Sequence, residues 1–74
     1  MKKKLIVRSK QILGGIPVFA GTRVPVRALI DYLEAGRPLH EFLDDFPSVS
    51  RSQAKGVLEL VKKNVLSLPY ERAA

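Results

Sequence analysis

The residues able to hydrolyse, oxidise or hold a metal are few, and their spacing works against each of those uses. Glu41, Asp44 and Asp45 form the densest acidic group, a kind that suits a divalent cation or a pair of catalytic carboxylates. On a helix, however, Asp44 and Asp45 point about 100° apart, and only Glu41 and His40 stand near enough to help. A solvated acidic face is the simpler reading. That face would repel phosphates, so it is expected to turn away from any nucleic acid or toward a basic partner. His40 is the single histidine and cysteine is absent, which leaves no disulfide, no thiolate ligand and no thiol nucleophile. It falls off the apolar stripe of its segment and reads as a surface residue. Ser9, Ser48, Ser50, Ser52 and Ser67 have no second histidine to serve them, and Gly14-Gly15 lacks the glycine, lysine and hydroxyl of a phosphate loop. The chain is expected not to be an enzyme and to use no cofactor.

Hydrogen-bonding and basic residues carry more information. Ser50, Arg51, Ser52, Gln53 and Lys55 stand together where a helix is expected to begin. Arginine can grip guanine at two points and glutamine adenine, each pair worth roughly 1 to 3 kcal/mol of discrimination, while serine suits phosphate. A polar opening is also what any solvated, capped helix shows. The formal charge of +6 is lopsided: residues 1–37 hold eight basic side chains against two acidic ones, and residues 38–74 hold five of each. Such a surplus points to an anionic partner, a nucleic-acid backbone or an acidic protein surface, against the plainer reading of a solubility tail.

These residues need elements to hold them. Lys4 to Arg8 and then Ile12-Leu13 read as extended chain, Gly14-Gly15 as a turn, and Ile16 to Phe19 as β-like despite Pro17, giving a small ribbon with an exposed edge. Ala20-Gly21-Thr22-Arg23 is a second turn, in which Thr22 and Arg23 could cap the next helix, pair with an acid or face phosphate. Gly14, Gly15, Pro17, Gly21, Thr22 and Pro25 are read mainly as backbone necessities. From Val26 the apolar period changes: Val26, Leu29, Ile30 and Leu33 lie on one helical face, ended by Gly36. Leu39, Phe42, Leu43 and Phe46 repeat the pattern after Pro38 until Pro47. Ser50 and Gln53 match a capping box and open a third helix with a buried stripe of Ala54, Val57, Leu58, Val61 and Val65. Its outer face is Arg51, Lys55, Glu59, Lys62 and Lys63, and Gly56 weakens it unless another helix packs close. The segment from Leu66 to Ala74 reads as a tail.

A chain of 74 residues is one small domain of marginal stability, so oligomerisation is the expected staple. No apolar run approaches the roughly 20 residues a bilayer span needs. Met1-Lys2-Lys3-Lys4 is like the basic opening of a signal peptide, but Leu5-Ile6-Val7 is cut off at Arg8, and a cytoplasmic location is expected.

Two short helices, a tight turn and a longer third helix with a polar start make a helix-turn-helix pattern. The run from Gly14 to Val26, then Leu29 to Gly36 with its Ala35-Gly36 end, then Phe42 to Pro47, closely resembles the small prokaryotic family called domain of unknown function 433. Its members are mostly predicted to be antitoxins. The likeness covers residues 11 to about 63, with Val49-Ser50 where the family often has Leu-Thr. It implies a homeodomain-like or winged-helix-like domain and pairing with a nuclease toxin of the PIN type, which holds metal in acidic residues and cleaves RNA.

The expectation is thus a mainly α, three-helix, homeodomain-like or winged helix-turn-helix domain with a short N-terminal β-ribbon. Ribbon and turn occupy residues 1–25, the helical unit 26–65 and the tail 66–74. The expected function is an antitoxin that binds a PIN-like toxin and its own operator duplex, the latter through Ser50, Arg51, Ser52, Gln53 and Lys55. Arg23, Arg27, Leu66, Leu68, Tyr70 and Arg72 are the candidate toxin contacts. A homodimer through the ribbon and first helix is expected, because a short hairpin is marginal alone and its edge invites pairing. The alternatives are a DNA-binding regulator without a toxin and a protein-interaction module that touches no DNA.

Overall fold

The computed structural model describes residues 4–69, so Tyr70 and Arg72 lie outside the described residues. The β-branched opening forms strand β1 (Ile6–Val7), which pairs antiparallel with β2 (Val18–Phe19), Ile6 opposite Phe19 and Val7 opposite Val18. The chain reverses between them through a 3₁₀ turn, Leu13–Gly15. Gly14 and Gly15 take φ of 70° and 96°, which cost glycine little, but the reversal also drives Leu13 to φ 48°. Leu13 is therefore not extended: the turn begins one residue earlier than the glycines suggest. Arg8 Nε closes the loop by donating to the Gly15 carbonyl at 2.8 Å.

The second turn is held by Thr22. Its hydroxyl donates to the Phe19 carbonyl at 2.8 Å and accepts from the Val24 amide at 3.0 Å. That role replaces helix capping: the first helix, α1 (Val26–Glu34), is entered from Pro25, with no side-chain cap. The Val26 amide instead donates to the Pro17 carbonyl, and Pro25 bridges to Val18, so both prolines sit where the turn meets the ribbon. At the far end Gly36, at φ 78°, lets its amide reach Leu33 and the Arg37 amide reach Tyr32. This is the paired bonding of a Schellman end.

Helix α2 (Leu39–Asp45) follows Pro38 and stops before Pro47, and α3 (Arg51–Leu66) follows a short connection. The chain is mainly helical, three helices with one two-stranded antiparallel sheet. Phe19, Leu29, Phe42, Val49, Ala54 and Val57 are buried together. Phe42 is the centre, its ring 5.9 Å from Phe19, 5.4 Å from Tyr32 and 5.0 Å from Phe46. No helix among the described residues is long and apolar enough to cross a membrane.

Two expected stripes are only partly buried. In α1, Leu29 faces the core but Leu33 is 37% exposed. In α3, Ala54 and Val57 are buried, Leu58 is half-buried, and Val61 and Val65 are 42% and 57% exposed. For α3 the reason is length. At about 1.5 Å per residue, the 16 residues of α3 outreach the nine of α1 and the seven of α2, and its last two turns pass beyond the core. Leu66 is its final helical residue rather than the start of the tail. Gly56 does meet a close neighbour, though not a helix: a Cβ there would lie 2.9 Å from both Leu5 terminal methyl carbons.

Candidate functional site

Everything expected at the start of α3 depends on how the chain enters it. Val49, 3% exposed, plugs the connection into the core, which fixes the direction of the helix. Ser50 is the N-cap: its hydroxyl accepts from the Gln53 amide at 3.0 Å, and Gln53 Oε1 accepts from the Ser50 amide at 3.0 Å. The capping box is complete. Gln53 has a further partner, since its Nε2 donates at 2.8 Å to the Ala20 carbonyl, 33 residues back in the chain. One amide therefore ties the first turn of α3 to the Ala20–Arg23 turn.

That tie divides the candidate readers. Both ends of the Gln53 amide are engaged inside the molecule, so its two-point face is occupied, and Ser50 is engaged as the cap. Arg51, Ser52 and Lys55 are exposed. Arg51 and Lys55 stand one turn apart on the same side of the helix. Neither has a carboxylate in ion-pair range among the described residues, and the first turn of α3 carries no acid. The partial positive charge of the helix N-terminus and the Arg51 guanidinium thus add at one place without internal compensation.

The acidic face of α2 is different. Arg37 Nη2 lies 2.7 Å from Glu41 Oε1 and 3.3 Å from Asp45 Oδ2, with its guanidinium carbon 4.1 Å from the centre of the Tyr32 ring. Asp45 also accepts from the Tyr32 hydroxyl at 2.6 Å. That hydrogen bond is the main reason the Tyr32 pKa is raised above its ordinary value, and the bond to Glu41 does the same for Arg37. The basic partner expected for this face is therefore Arg37 of the same chain. The signal lay in the spacing, since Glu41 and Asp45 stand one and two turns beyond Arg37. Among the described residues no three His, Asp or Glu side chains gather to hold a metal ion, and His40 is exposed.

The other candidates do not converge. Arg23 borders a depression with Val7, Ile12, Gly21, Thr22 and Ser48, while Arg27 borders another with Ile6, Ile16, Val26 and Ile30. Leu66 borders a third with Leu5, Gly56 and Leu60. Leu68 is 67% exposed beyond the end of α3. The missed residues of that end are Leu60 and Val61, which join Val65, Leu66 and Leu68 as exposed apolar groups.

Comparison with known proteins agrees with the sequence motifs. The profile of a family described as "Protein of unknown function (DUF433)" matches residues 6–60, which takes in the ribbon, both turns, α1, α2 and most of α3. A curated protein from Sinorhizobium fredii (strain NBRC 101917 / NGR234), "Uncharacterized protein y4eO", is 34% identical over 53 residues, covering 72% of this chain. The chain spans about a quarter of that relative's length, the alignment covering 24% of it. No solved structure matches significantly.

Proposed function

The chain belongs to the family described as Protein of unknown function (DUF433), and from that premise we propose that it is an antitoxin whose α3 serves two partners. On this reading α2, the connection through Val49 and α3 form a helix-turn-helix of homeodomain-like or winged type. The first two turns of α3 then enter the major groove of operator DNA, with Arg51 on a base edge, Ser52 on phosphate or base and Lys55 on phosphate. The observation that carries the DNA part is the uncompensated charge there: Arg51 and Lys55 are exposed and unpaired among the described residues, on a helix start fixed by Val49, Ser50 and Gln53. Gln53 acts here as the anchor of the reading helix and not as a reader.

The toxin part is supported by the other end of the same helix. Val61, Val65, Leu66 and Leu68 are 42% to 74% exposed, and Lys62 and Lys63 beside them suit the acidic mouth of a PIN-type nuclease. An apolar helical stripe with basic flanks is a common way to enter a partner's groove.

Anisotropy of a labelled duplex from the gene's own promoter tests the DNA part. Log affinity should fall by about 0.9 for each phosphate neutralised per decade of salt. Arg51→Ala should relax sequence preference, and Lys55→Ala should lower affinity evenly. Duplex binding that ignores both variants overturns it. Light scattering of the chain co-expressed with its neighbouring gene product tests the toxin part: Val65→Asp should lose the complex and keep the duplex. A neighbour that never associates leaves a DNA-binding regulator.

A further inference from the structure

One apolar surface remains that neither end of α3 uses. Ile6, Ile16, Pro17, Val26 and Ile30 line a groove between the ribbon and α1, and Arg27 is the charged residue at its border. Ile16 is 42% exposed, and Leu33, 37% exposed, follows Ile30 on the same helical face. A domain this small gains buried apolar area when a second chain covers such a face.

The charges beside the groove say which chain. Arg27 and Glu34 stand two turns apart on one side of α1, with Ile30 near their midpoint. Arg27 is held only loosely within its own chain, 3.6 Å from Asp31, with its side chain 86% exposed. Glu34 has no ion-pair partner among the described residues. A positive group at one end of an apolar stripe and a negative group at the other is a pattern that complements itself after a half-turn. We propose that the groove between the ribbon and α1 is a two-fold interface between two copies of this chain, with α1 antiparallel to its copy.

A two-fold axis near Ile30 sets Ile30 against its own copy and Val26 against the second copy's Leu33. The same axis brings Arg27 of each chain to Glu34 of the other, so the Val26–Leu33 and Arg27–Glu34 contacts each occur twice. A partner of uniform charge would meet both signs along this flank and match only half of it, unlike the start of α3.

The test is sedimentation equilibrium of the full chain, with no DNA and no other protein present, so that its outcome is separate from the DNA and toxin readings. The wild type should sediment at twice the chain mass of 8.2 kDa. Arg27→Glu and Glu34→Arg should each raise the dimer Kd by about tenfold, because each breaks two symmetric pairs and sets like charges together. The double variant carrying both exchanges should return the Kd to within about twofold of the wild type. Both positions are exposed, so the variants fold, and circular dichroism checks this. Ile30→Asp should give a folded monomer. A wild-type monomer at high micromolar concentration overturns the proposal. So does a dimer whose Kd the single variants leave unchanged, or a double variant that does not recover.

Discussion

Gln53→Ala separates an anchor from a reader. The substitution removes two hydrogen bonds, Gln53 Oε1 to the Ser50 amide at 3.0 Å and Nε2 to the Ala20 carbonyl at 2.8 Å. A net bond contributes about 0.5 to 1.5 kcal/mol, and a buried group left without a partner costs more. The Ser50 amide recovers water because Ser50 is exposed, whereas the bond to Ala20 is half-buried. The expected loss is about 2 kcal/mol, which for a domain of this size lowers Tm by roughly 8 to 16 °C. Ser50→Ala removes the cap alone and should cost about 1 kcal/mol. The two losses should combine to less than their sum, because the cap and the box are one unit. Thermal denaturation followed by circular dichroism measures all three proteins, and duplex anisotropy in the cold measures the same three against operator and scrambled DNA. Gln53→Ala should keep the wild-type preference for operator while it is folded. A Tm within 3 °C of the wild type, or a selective loss of operator preference at full helicity, would refute the anchoring role.

Other consequences are open to direct measurement. Phe42→Ala should cost about 3 to 5 kcal/mol, which for a domain of this size lowers Tm by roughly 12 to 40 °C in thermal scans followed by circular dichroism. Gly56→Ala gains about 1 kcal/mol of helix propensity but displaces both Leu5 methyls, so Tm should hardly change; on a Leu5→Ala background it should rise by about 4 to 8 °C. Tyr32 has a raised pKa, so its neutral form is favoured by folding, and its contribution is present below pH 10 and fades as pH climbs through the folded value. Thermal scans from neutral to strongly alkaline pH should show an alkaline loss of stability that is smaller in Tyr32→Phe.

What could be read in the sequence was local. Gly36, Pro38 and Pro47 mark the helix ends because each changes what its own backbone can do, and Ser50 with Gln53 announces a cap within four residues. The aromatic and aliphatic spacing likewise finds Leu29, Phe42, Ala54 and Val57. What was hidden depends on distance across the fold. Nothing near Gln53 says that Ala20 accepts from it, and nothing near Gly56 says that Leu5 fills its notch. Periodicity marks Val61 and Val65 as readily as Val57, since it records which way a side chain faces and not whether anything is there to meet it. The pairing of Glu41 and Asp45 with Arg37 was legible in principle, because the basic residue stands at helical spacing just ahead of α2.

The overhang of α3 also has a mechanical side. From Val57, the last buried residue of the helix, to Leu66 at its tip the rod runs about 13 Å at helical rise, and beyond half-buried Leu58 each of its residues is exposed among the described residues. Rotation by about 10° around Val57 would swing the tip by some 2 Å, and the opposite end, Arg51 included, would move the other way in proportion. Hydrogen bonds to base edges tolerate only a few tenths of an ångström of such travel. On the proposed reading, a partner that grips the far end of α3 holds a lever whose short arm carries the guanidinium of Arg51, with the Gln53–Ala20 bond as the brake that resists it.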